Sequence, residues 1–206
     1  MQNLNLNKEQ LDALREIGNI GGGNAATALS QFLDRRVSVT VPQATLLSLD
    51  DFSGYEFMMK PEELSIAVSL RILGKLKGGM LVLFSQRDAL LMIDILMQRK
   101  MGSTEIFTTI DESALSESTH IICCSYLNAI GEFLKLYQLI PSITQTALDR
   151  VDKLSKVLIK RFVGGDIGYV LPIQNHLIVE DIEVNLYVIF LLEPESQIKI
   201  LEMIGL

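Results

Sequence analysis

Tryptophan is absent from the 206 residues, cysteine occurs twice, proline five times, and aromatics make up only 6%. The two cysteines are adjacent, at Cys123 and Cys124, in an apolar helical stretch. They cannot staple separated segments and are too few for a metal site of their own, so they read as reduced, buried thiols. His120 and His176 lie far apart and outside any HxxxH or HExxH context, which argues against a metal enzyme. Positive charge is also short. Eighteen Lys and Arg against 25 Asp and Glu give a net charge of −7 and no overall attraction for a phosphate backbone, so no nucleic-acid partner is expected. Long apolar runs are missing despite a mean hydropathy of +0.32. The stretch Tyr187-Val188-Ile189-Phe190-Leu191-Leu192, between Asn185 and Glu193, falls far short of the roughly 20 residues that span a bilayer. The opening residues, MQNLNLNKEQ, show neither a charged leader nor an apolar stretch. A cytoplasmic protein without membrane insertion is the expectation.

What is present is a chain 49% hydrophobic and 21% charged, too apolar for disorder and long enough to bury a core. Nothing resembling a linker divides it, so residues 1–206 read as a single domain. Apolar residues at helical spacing, Leu11, Leu14, Ile17, Ala25, Ala28, Leu29, Phe32 and Leu33, mark a helix over 8–34. Gly21-Gly22-Gly23 interrupts it and predicts a bend or a close approach by another backbone. Short strands are expected at 36–41 and 44–49 around Pro42, and a hairpin over 64–73 and 76–84. Helical patterns return at 87–98 and 111–137, with mixed helical character over 149–162 ended by Gly164-Gly165. A second strand pair over 173–179 and 183–192 precedes a short helix opened by Pro194. Helices and hairpins in mixed order indicate an α+β fold.

The chain also repeats itself. A shift of 101 residues lays Ala13-Leu14 on Ala114-Leu115, Glu16 on Glu117, Ala28 on Ala129 and Phe32 on Phe133. Hairpin-like pairs follow both helices, which suggests half-repeats at about 8–100 and 109–206.

On the first helix Asp12, Glu16 and Asn19 stand at i, i+4 and i+7, within roughly 60° of one another. Leu11, Leu14 and Ile17 point to the other side, so the polar row faces solvent. Geometry alone leaves this an ordinary solvated helix face. No serine stands beside a histidine and no cysteine beside a base, so nucleophilic catalysis has no candidate. Gly18-x-x-Gly21-Gly22-Gly23 lacks the Lys-Ser/Thr of a phosphate loop and lies inside a helix. Arg35-Arg36 and the group Lys153, Lys156, Lys160 and Arg161 read as solvated helix ends and faces. The eight methionines are scattered and read as core.

The wording around the polar row carries more. LDALREIGNIGGGNAATALS, residues 11–30, resembles the first signature helix of the CheC family, whose members with CheX and FliY are phosphatases of the chemotaxis response regulator CheY. The family pattern is Asp or Ser, three residues, Glu, two residues, Asn, then 22 residues and Pro, and Asp12, Glu16, Asn19 and Pro42 fit it. Gly22 stands where the family commonly shows Ala. ESALSESTHIICCSYLNAIGEFL is similar to the second signature, so the likeness runs over essentially the whole chain, and the length is closest to CheC. Ser113 and Glu117 match there, but His120 replaces the amide and Pro141 falls two residues short of the spacing. That half reads as a retired copy, a weakened site with His120 as substitute, or a rebuilt docking surface.

The resemblance implies a pseudo-two-fold α+β domain, with the two signature helices side by side on one face of a largely antiparallel sheet. It implies hydrolysis of a receiver's phospho-aspartate, with Asn19 holding the water in line, Glu16 binding the receiver's active-site lysine and Asp12 an edge contact. Mg²⁺ belongs to the receiver, so no cofactor or metal of the chain's own is expected. A monomer is expected. The alternative is a non-catalytic adaptor for a receiver or for the receptor deamidase CheD, and a third reading is a phosphatase for a receiver outside chemotaxis.

Overall fold

The computed structural model describes residues 7–45, 47–48, 59–136, 138–163 and 169–203. Helix α1 (Lys8–Leu33) leads into strands β1 (Val37–Ala44) and β2 (Leu47–Ser48), then the hairpin β3 (Leu64–Gly74) and β4 (Gly78–Ser85). Helix α2 (Gln86–Leu96) and a loop precede α3 (Thr109–Phe133). Strands β5 (Leu139–Pro141) and β6 (Gln145–Arg150), helix α4 (Val151–Val163), the hairpin β7 (Tyr169–Val179) and β8 (Ile182–Leu192), and α5 (Pro194–Met203) complete the order.

The result is an α+β fold around one antiparallel sheet of order β1-β7-β8-β4-β3-β5, with β2 also on β7 and β6 also on β3. β4 and β8 meet at the centre, Val82 opposite Val188. β1 leaves its own half to pair with β7, and β6 crosses to pair with β3, so each half completes the other's sheet. The strands obey the period of two. Ile66, Val68, Leu70, Ile72, Met80, Val82, Phe84, Val188 and Phe190 point to the face covered by α1, α2 and α3. Ala67, Leu81, Leu83, Ile189 and Leu191 point to the other face, where Val151, Leu154 and Phe162 of α4 cover them. Burial on both faces explains why these strands read as near-continuous apolar runs.

The two long helices begin alike. Asn7 and Gln10 close a capping box on α1, and Thr108 and Asp111, 101 residues later, close one on α3. α3 ends at Phe133 rather than near 137. β5 and β6 lie where the sequence offered no strand signal, because their burial is partial and irregular. Pro42 does not separate two strands. It lies within β1 at an irregularity, where three steps from Thr40 to Gln43 face two from His176 to Gln174. A bulge tolerates a residue without an N–H. The expected break at Gly164-Gly165 and strand end at Leu49 lie outside the described residues.

Candidate functional site

Helix α1 runs unbroken through Gly21-Gly22-Gly23. The glycines serve packing instead of a bend. A Cβ on Gly21 would lie 2.6 Å from Cε1 of Tyr126 on α3, and one on Gly22 would lie 3.0 Å from Val39 Cγ1. The close approach is made by a tyrosine ring and not by another backbone. The Tyr126 hydroxyl donates to Asn175 Oδ1 on β7, and the Asn175 amide donates to the Ile173 carbonyl at 2.9 Å. Its ring meets Phe190 edge-on at 6.2 Å. Burial pushes the Tyr126 phenol well above its ordinary range. Tyr126 thus pins α3 to α1 and both to the sheet, which sets the two signature helices side by side.

With Leu14, Ile17, Gly18, Gly21, Gly22, Ala25 and Leu29 buried, the opposite side of α1 is fixed toward solvent. Asp12, Glu16 and Asn19 are all exposed there in one row. Among the described residues Asp12 meets only Arg15, at 3.6 Å, and the pair is more than half exposed, so it holds little. Glu16 and Asn19 have no partner among the described residues, which leaves a carboxylate and an amide free to meet another molecule. Val41 lies against the helix at Gly18, 3.2 Å from where a Cβ would be. Pro42 follows Val41 on β1, so the exposed proline is held at the strand edge beside the turn that carries Asn19. Leu11 departs from the expectation: it is 37% exposed, next to Asp12, and does not enter the core. Phe32 is likewise exposed, at 48%, while Leu29 and Leu33 of the same turn face the core.

The row on α3 is built differently. Ser113 and Glu117 are exposed, but the Ser113 hydroxyl donates to the Thr109 carbonyl at 3.0 Å, and His120 is half-buried. Pro141 pairs with Ile72 in the ladder, and the irregularity follows it, before Gln145 meets Ser69. No amide stands at the third position of this row. Cys123 is buried and Cys124 half-buried, and both are free thiols. Burial raises both thiols, and for Cys124 the Glu117 carboxylate adds to the rise. Neither is an activated nucleophile.

Sequence reasoning missed the buried acids that hold α3 in place. Asp94 of α2, fully buried, accepts from the backbone N–H of Gly102, Ser103 and Thr104 at 2.6, 3.2 and 3.2 Å. Arg99 reaches Thr104 Oγ1 at 2.9 Å and lies 2.8 Å from Asp111. That contact is an ion pair between a part-exposed guanidinium and a fully buried carboxylate. The sequence signal was the Thr108-x-x-Asp111 spacing of a capping box. No group of His, Cys, Asp and Glu among the described residues is arranged to hold a metal ion. No described helix is long and apolar enough to cross a membrane.

Comparison with known proteins bears on this same segment. The model of the CheC-like family matches residues 9–46, which contain the polar row of α1 and Pro42 of β1. The CheY-P phosphatase CheC of Bacillus subtilis is 35% identical over 146 residues, covering 70% of this chain and 68% of that protein. The flagellar motor switch phosphatase FliY of the same organism is 32% identical over 92 residues, 45% of this chain and 23% of that protein. Among solved structures, FliY of Thermotoga maritima superposes with a TM-score of 0.79 at 21% identity over 98% of each chain, a likeness of fold. Since the 35% identity extends over two thirds of that relative and the signature helix stands exposed as the family pattern needs, the chain belongs to the CheC-like family.

Proposed function

We propose that the chain is a protein phosphatase that hydrolyses the phospho-aspartate of a CheY-like receiver in chemotaxis signalling. One observation carries the reading: Glu16 and Asn19 stand free and exposed in one row on a rigid helix, beside Pro42. An acyl phosphate is intrinsically labile, so its hydrolysis needs positioning more than a strong base. An amide suits that task, because its carbonyl accepts from a water while its NH₂ donates nearby. Asn19 reaches into the receiver's acidic site and holds the water in line with phosphorus. Glu16 pairs with the receiver's lysine and sets the register of the helix on it. Asp12 is an edge contact, and Pro42, exposed on β1 next to Val41, flanks the turn that carries Asn19. The receiver brings its own Mg²⁺.

The α3 row, with His120 at its amide position, is a retired copy in this reading. Decay of a phosphorylated receiver, followed with wild type and variants in parallel, tests it. Asn19→Ala is expected to keep receiver binding and lose about 10²-fold in rate. Glu16→Ala weakens binding and rate together. His120→Ala leaves the rate unchanged, whereas a gain in His120→Asn would show that the second row still docks the receiver. If wild type does not accelerate decay, the chain is instead an adaptor for a receiver or a CheD-type deamidase.

A further inference from the structure

The sheet face opposite α1 and α3 carries a groove that the phosphatase reading leaves unused. About 220 Å³ in volume, it lies between β3, the turn from β5 to β6, and the last turn of α4. Ser69, Arg71, Ser142, Ile143, Arg161 and Phe162 line it. Phe162 is seated on Gly79, where a Cβ would lie 2.6 Å from the ring. The guanidinium carbons of Arg71 and Arg161 stand 5.8 and 5.9 Å from the centroid of that ring. Arg71 also donates to the Arg161 carbonyl at 3.4 Å. Two cations are therefore held by packing around one aromatic side chain, at a cost in mutual repulsion.

In a chain of net charge −7 they are conspicuous, because no carboxylate among the described residues pairs with either. The hydroxyls and the backbone at the groove are already used: Ser142 Oγ accepts from the Arg71 N–H at 2.9 Å, and Ser69 donates to the Gln145 carbonyl at 3.3 Å. The two guanidiniums are thus the groups left to engage a ligand. The groove opens at the sheet edge, where β6 pairs with β3 on one side only among the described strands. At that opening Ile143 is 83% exposed.

We propose that this groove docks an extended acidic segment of a partner protein. Carboxylates of the segment meet Arg71 and Arg161, each able to bind one through its planar fork, and an aliphatic side chain covers Ile143. Charge complementarity selects the occupant: a second copy of this acidic chain is repelled on average, and a free oxyanion leaves Ile143 uncovered. The site lies on the other face of the sheet from the α1 row, so occupancy does not compete with a receiver there.

The test is fluorescence anisotropy with a fluorescein-labelled Glu-Val-Glu-Val-Glu-Val peptide, a Lys-Val counterpart, and inorganic phosphate as competitor. The full chain should bind the acidic peptide about tenfold more tightly than the basic one, and more weakly as salt rises. Arg71→Gln/Arg161→Gln, which keeps part of each stem on Phe162, should weaken binding about tenfold. Arg71→Lys/Arg161→Lys should retain part of the affinity, and Ile143→Ser should lose affinity without changing the salt dependence. No binding of the acidic peptide overturns the proposal, as does binding that the Gln pair leaves intact. Full displacement by millimolar phosphate also overturns it, in favour of a simple oxyanion site. Sedimentation that shows self-association lost in the Gln pair would assign the groove to a second copy. Thermal unfolding of each variant identifies a folding failure, and in that event the wild-type salt dependence and the Lys pair decide.

Discussion

Three consecutive glycines in α1 carry different loads. At Gly21 the space a side chain needs is occupied by the Tyr126 ring, which is itself fixed by Asn175 and Phe190. At Gly22 a Cβ would lie 3.0 Å from a Val39 methyl and 3.2 Å from a Val41 methyl, and at Gly23 nothing lies within 4 Å. Gly21→Ala should therefore destabilise by about 1–3 kcal/mol through overpacking. Gly23→Ala should stabilise by roughly 0.5–1 kcal/mol, since a helix-interior glycine carries only its entropic cost. Urea midpoints of the two variants at equal slope check the pair. The composition shows three glycines alike, and only the neighbour across the helix crossing distinguishes them. The polar row was legible by contrast, because helical period alone puts residues 12, 16 and 19 on one stripe. Leu11 was misread because an apolar residue at the margin of that stripe has the same periodicity whether or not a neighbour covers it.

At the scale of elements, α3 depends on a carboxylate that the core has swallowed. Burial by itself raises the Asp111 carboxyl, but hydrogen bonds from the Thr108 side chain and backbone and the Arg99 guanidinium outweigh it, and the net shift is downward. A carboxyl lowered in the folded state contributes stability that is fully present above its unfolded value, near 3.9. That contribution is lost as pH falls through the lower folded value. Acid unfolding should show it: Arg99→Ala raises the folded value toward the unfolded one, so the contribution is smaller and its loss spans a narrower pH range. In Asp111→Asn this part of the pH dependence disappears while stability at neutral pH drops by about 1–3 kcal/mol, because Thr108 loses a charged acceptor and the part-exposed Arg99 loses its ion pair. Chemical denaturation at several pH values between acid and neutral measures both effects. The helices themselves were legible from periodicity, and the hairpins β3–β4 and β7–β8 from apolar runs bounded by turns. β5 and β6 were not, since edge strands of partial burial have neither a clean alternation nor a continuous apolar run.

Across the whole molecule, the halves are joined by more than a shared interface. β1 takes its hydrogen bonds from β7 and β6 takes its own from β3, while β4 and β8 close the centre. A fragment ending in the loop after α2 leaves β1 unpaired and the Gly21 face of α1 open to water. Separate fragments split between Gly102 and Ser103 are expected to be largely unfolded by circular dichroism, and mixing them should restore the native spectrum. Independent folding of either fragment would contradict this account. Periodicity and the spacing of Asp12, Glu16, Asn19 and Pro42 determined, from the sequence alone, the long helices, the paired strands, the exposed row and the family likeness. These are local properties, set by which side chains recur on which face. The crossed pairing of the halves, the burial of Asp94 and Asp111, and the Tyr126 contact that orients both rows were decided only in the tertiary structure. Each of them joins residues far apart in the chain, and no local period records which distant neighbour a residue will meet.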